Sequence, residues 1–215
     1  RAYILAEDDG EVPVVRKILG LTFALLAAAT LLTAAPALAM AAVNAAMVSA
    51  AIDYGRSGAK APLAEFLAPW TVYEERAAGL DETEERACVY TPFLLVAAEA
   101  RDRTRAGGPM TRADAERVLG DYRGYVIFGV TLFGEQADFA ARLTARALLG
   151  RRTLRPALVH LPPAAEATAD GSRFWTQLYL YFPDKDFRAD SRAVLQVTTA
   201  DGRRRSFSFL LAGYR

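Results

Sequence analysis

Residues 125–133 read Tyr-Val-Ile-Phe-Gly-Val-Thr-Leu-Phe, a run without a charged side chain between Gly124 and Gly134. β-Branched and aromatic residues at this length fit a strand. The absence of polar alternation predicts that both of its faces are buried.

Other segments point the same way. Residues 173–182 alternate: Phe174, Thr176, Leu178, Leu180 and Phe182 project to one side, and Trp175, Gln177, Tyr179 and Tyr181 to the other. Residues 193–199 and 205–211 flank Asp201-Gly202, a pair favoured in hairpin turns. Residues 142–149 and 153–161 flank Gly150-Arg151-Arg152 like the arms of a second hairpin, with Pro156 confining the later arm to an edge or a bulge. The Ala-rich stretch 139–149 also fits a helix. Upstream, residues 66–73 are expected as a first strand and 87–90 as a short second one, with a charged turn or short helix over 74–86.

Between these strands lies a different pattern. Thr91-Pro92 is a helix start, since a hydroxyl can accept from free amides and proline at the first position loses only an unused N–H. Gly107-Gly108-Pro109 ends that helix, and Thr111 with Asp114 three residues later starts another. Its face carries Ala115, Val118, Leu119 and Tyr122. The expected class is therefore mainly β with a helical insertion (α+β). The plan is an antiparallel, immunoglobulin-like β-sandwich over 61–215 with a helical hairpin at about 91–122.

The N-terminal part carries an address. Arg16-Lys17 precede an apolar run over 18–32, and Ala34-Ala35-Pro36-Ala37-Leu38-Ala39 follow, with Ala37 and Ala39 at the positions signal peptidase requires. This order resembles a bacterial secretory signal peptide, which implies export across the cytoplasmic membrane. Residues 1–15 hold Glu7, Asp8, Asp9 and Glu11 and read as an acidic leader, untranslated or disordered. Low polarity continues to Ile52, so the run beginning at Ile18 is about 35 residues long, more than the ~20 that span a bilayer. Uncleaved, it would be a membrane anchor. Met40 stands where a lipoprotein signal has cysteine. Residues 40–60 are expected as an apolar segment and a linker, the latter marked by Gly55, Ser57 and Gly58.

Composition removes several chemistries. With 26 basic and 25 acidic residues the net charge is +1, which gives no electrostatic footprint for nucleic acid. Arg203-Arg204-Arg205 are expected on a solvated strand face. The single cysteine, Cys88, allows no intrachain disulfide and reads as a small buried residue. His160 is the only histidine, so a His-based zinc site is excluded and no cofactor is expected. Asp184, Asp186 and Asp190 begin like a calcium loop, but Ala189 and Leu195 replace its glycine and its glutamate. They are expected as a solvated turn. Glu74, Glu75, Glu84, Glu85 and Glu99 offer material for paired-carboxylate catalysis.

Three functions remain. The first is a non-enzymatic binding or structural module outside the cytoplasm, with Trp175, Gln177, Tyr179 and Tyr181 as its candidate binding face for a protein or a cell-envelope polysaccharide. The second is a carboxylate-dependent hydrolase acting on polysaccharide. The third is an accessory subunit of a membrane complex, held through the run that ends at Ile52.

Overall fold

A computed structural model describes residues 43–188 and 192–214. The signal segment with Ala37 and Ala39, and Asp190, lie outside the described residues. Among the described residues the protein is α+β, with four α-helices and ten strands, every strand pair being antiparallel.

Helix α1 (Ala45–Ser57) starts at Asn44, whose side chain accepts from the Met47 amide at 2.8 Å. A 3₁₀ turn (Gly58–Lys60), helix α2 (Leu63–Leu67) and a second 3₁₀ turn (Ala68–Trp70) lead into strand β1 (Thr71–Tyr73). Two expectations change here. The glycine-containing stretch 53–60 is helical, because Gly55 lets α1 approach the chain carrying Ala97 and Ala100 more closely than any side chain would permit. The first strand is only three residues long, because Pro69 and the aromatic side chains before Thr71 go into a local cluster. In it the Tyr54 ring lies 5.1 Å from Phe66, 5.5 Å from Trp70 and 5.9 Å from Phe93.

Strand β2 (Arg86–Tyr90) is followed by the helical hairpin. Helix α3 (Pro92–Arg105) is capped by Thr91, which accepts from the Leu94 amide at 3.1 Å. Helix α4 (Arg112–Asp121) has a full capping box between Thr111 and Asp114. Helix α3 packs against α1, α4 and β2.

The remaining strands are β3 (Tyr125–Gly134), β4 (Thr144–Leu149), β5 (Arg152–Leu154), β6 (Leu158–His160), β7 (Glu166–Ala167), β8 (Phe174–Pro183), β9 (Arg192–Thr198) and β10 (Arg204–Leu210). The larger sheet runs β1-β2-β3-β8-β6, with β7 also on β8, and the smaller runs β10-β9-β4-β5. The expected arm 153–161 is therefore split. Only β5 pairs with β4; past Pro156 the chain crosses to the other sheet as β6.

Register assigns the faces. Ala87, Val89, Val126, Phe128, Val130, Leu132, Leu178, Leu180 and Phe182 share one side of the larger sheet, and all are buried. They meet the smaller sheet: the Phe128 ring lies 5.0 Å from that of Phe209 on β10, beside buried Leu195, Val197 and Phe207. Phe187, just after β8, closes this layer at 5.8 Å from Phe182. Each fully buried Val, Leu or Phe of this layer contributes roughly 1.5–3 kcal/mol relative to exposure. Strand β3 is thus buried on both faces, as its sequence predicts.

One core residue is charged. Arg205, expected in solvent with its two neighbours, is 1% exposed. Strand alternation turns it inward between Arg204 and Ser206, where its Nε donates to Glu85 at 2.9 Å and Nη2 to the Phe133 carbonyl at 2.9 Å. The Phe133 amide donates to the same Glu85 oxygen at 3.2 Å, and Thr199 also accepts from Arg205.

Candidate functional site

The second face of the larger sheet holds the expected aromatic row. Cross-strand pairing builds it as a grid: Tyr73, Arg86, Thr131 and Gln177 in one rank, then Thr71, Cys88, Gly129, Tyr179 and His160, then Tyr90, Ile127, Tyr181 and Leu158. Beyond the first rank stand Phe133, Trp175 and Glu166.

The layer over this face is uneven. Cys88, Tyr90, Ile127 and Tyr181 are buried, whereas Trp175, Gln177 and Tyr179 are half-buried. The predicted row is therefore divided: Tyr181 goes into the interior, edge-on to Tyr125 with ring centres 6.0 Å apart, and the other three keep contact with solvent. Of these three, Tyr179 turns its phenol to the hydroxyl of Tyr90 behind it. At the far end Arg173 stacks over the Phe133 ring at 4.6 Å and donates to the Thr83 carbonyl at 3.3 Å, forming a wall.

Behind Tyr179 sits a residue that the sequence did not single out. The Tyr90 ring lies 5.9 Å from the Tyr179 ring, and Gly129 between them leaves room for both, since a Cβ there would come within 2.9 Å of Tyr90 and 3.3 Å of Tyr179. Tyr90 is 2% exposed, and its hydroxyl is buried against the phenol of Tyr179. Burial raises the pKa of both phenols, so both keep their protons. His160 approaches Tyr179 from the other side, with ring centres 6.3 Å apart. Asp102 of α3 lies within electrostatic reach of Tyr90. Burial pushes its carboxyl up to about 6 against the favourable charge of Arg101. The signal for Tyr90 was its place in a short apolar strand; that it lies opposite Ile127, one rank from Tyr179, is a matter of register.

The chain matches no protein-family model, no curated protein and no solved structure.

Elsewhere the candidate residues take up structural tasks. Glu85 is held by Arg205, and Glu99 accepts from Arg103 at 2.7 Å. Glu74 accepts from the Arg76 amide at 2.7 Å, and Glu75 from the Ser208 hydroxyl at 2.7 Å. Glu84 is half-buried, and its backbone carbonyl accepts from Arg86. Asp184 and Asp186 lie in a 3₁₀ turn, where Asp186 pairs with Arg152 at 2.5 Å. Among the described residues no three His, Cys, Asp or Glu side chains form a metal-holding group. Cys88 is buried, and burial pushes its thiol up to about 12, which suppresses the reactive thiolate. Among the described residues no helix is long and apolar enough to cross a membrane.

Proposed function

We propose that this is a non-enzymatic binding module that works outside the cytoplasm, an immunoglobulin-like β-sandwich with a helical hairpin laid on its larger sheet. Its ligand-facing surface is Trp175, Gln177 and Tyr179. The observation that carries this reading is their half-burial, two rings and an amide that keep contact with solvent on a sheet face otherwise covered. Ring area and a hydrogen-bonding edge presented together suit recognition of a partner that is partly apolar and partly hydroxylated. In contrast, Glu74, Glu75, Glu85 and Glu99, four of the acidic side chains considered for hydrolysis, are occupied by amides, a hydroxyl and guanidinium groups.

Export rests on the order of charge, apolar run and small residues over 16–39. Two experiments test the reading. Mass spectrometry of the protein recovered from a bacterial host is expected to find an N-terminus at Met40; an intact run through Ile52 favours a retained anchor. Co-sedimentation with insoluble cell-envelope polysaccharide is expected to deplete the wild-type protein from solution and to leave most of a Trp175→Ala variant behind. Equal behaviour of the two would remove this surface from the account.

A further inference from the structure

We infer that the outward face of the smaller sheet is a second docking surface, which binds an anionic lipid bilayer through Arg146, Arg192 and Arg204. It is independent of the aromatic row, which lies on the other sheet.

The first observation is the segregation of charge in a chain whose net charge is +1. Residues 142–155, which carry β4 and β5, hold five arginines and no carboxylate, whereas residues 74–85 hold six carboxylates and one arginine. Register turns Ala147, Leu195 and Phe207 into the core and Arg146, Arg192 and Arg204 the other way, where all three are exposed. Arg152 and Arg205, at the edge and the underside of the sheet, have Asp186 and Glu85 as partners. No described carboxylate forms an ion pair with the three outward arginines. At the rim, Glu74 and Glu75 accept from the Ser206 amide and the Ser208 hydroxyl, and Asp201 from Thr199 and the Arg203 amide.

The second observation is the shape and make-up of the face. Arg146 donates to Gln196 at 2.9 Å and Gln196 to Ser206 at 3.4 Å, so one polar rank crosses three strands. Leu210 is 62% exposed, and Leu148 and Val194 are half-buried. Strands lie about 4.8 Å apart and rise about 3.4 Å per residue, so Arg192 and Arg204 stand about 20 Å apart, with Arg146 on a third strand. Guanidinium groups so spread cannot close together on one small anion. The aromatic residues of these strands, Phe207 and Phe209, both face the core, so the outward face has no ring on which a base or a sugar could stack. A bilayer presents anions across a plane, needs no register with the arginines, and accepts Leu210 at the depth of its headgroups.

Co-sedimentation of the protein recovered from a bacterial host with vesicles tests this. One set holds phosphatidylglycerol and phosphatidylcholine in equal parts, the other phosphatidylcholine alone. The expected result is binding to the anionic set that raised salt releases, and little binding to the neutral set. Joint replacement Arg146→Gln, Arg192→Gln and Arg204→Gln is expected to weaken it at least tenfold. A control with the same change of charge, Arg56→Gln, Arg112→Gln and Arg123→Gln, and the Trp175→Ala variant are expected to bind as the wild type does. Equal binding to both vesicle sets, or an equal loss in the control, would overturn the inference. Binding to soluble polygalacturonate without binding to anionic vesicles would overturn the bilayer assignment and give the face to an acidic polymer. Loss of vesicle binding in Trp175→Ala would overturn the separation of the two faces.

Discussion

Single atoms decide much of the packing. At Gly55 a Cβ would stand 2.1 Å from the Ala97 carbonyl oxygen, a backbone atom that cannot turn away. Gly55→Ala is expected to force α1 and α3 apart and to cost about 1–3 kcal/mol, read as a lower midpoint in urea unfolding. Asp102 acts through its charge. Its folded pKa, about 6, lies above the ordinary carboxyl value of about 3.9, so the folded state holds the proton more tightly. That contribution is fully present below the unfolded value and is lost as pH rises through the folded one. Asp102→Asn is therefore expected to raise the melting temperature relative to wild type at pH 8 and to lose that advantage at pH 4. Asp114 has the opposite sign. Hydrogen bonds from Thr111 hold its carboxyl down at about 2, so the cap is intact at neutral pH and weakens only in strong acid.

At the scale of elements, the end of the fold where the two sheets meet is tied by charge. Arg205 on β10 reaches Glu85 before β2 and the Phe133 carbonyl on β3, so three segments far apart in sequence share one guanidinium. Removing either partner leaves the other charge buried and unpaired. Glu85→Gln or Arg205→Met alone is expected to cost about 3–5 kcal/mol, and the double replacement Glu85→Leu with Arg205→Met much less than the sum; thermal unfolding of the three variants gives the coupling. Local signals made most elements readable beforehand. Thr91-Pro92, Thr111 with Asp114, and Asp201-Gly202 each act within a few residues, and each works as its chemistry predicts. Strand alternation also placed Leu178, Leu180 and Phe182 in the core. The burial of Arg205 was not legible, because a run of three arginines looks solvated until a carboxylate 120 residues away is brought to it. The change of sheet at Pro156 and the helical course of Gly55 depend in the same way on tertiary partners.

For the molecule as a whole, the helical layer matters for what it leaves uncovered. It buries Tyr90 and Ile127 and leaves Trp175, Gln177 and Tyr179 within reach of solvent. Alternation alone identifies the members of that row, but not which of them are closed off, since the extent of the cover depends on where α3 crosses β2. The chain has two tryptophans, and Trp70 is buried in the cluster with Tyr54 and Phe93. Trp70→Phe therefore leaves Trp175 as the sole indole fluorophore, reporting from the proposed face. Acrylamide quenching of this variant, with and without cell-envelope polysaccharide, is the most direct measurement. The account predicts that emission shifts to the blue and that quenching falls at least twofold as the polysaccharide saturates the protein. Bound polysaccharide that leaves Trp175 as quenchable as before would contradict it.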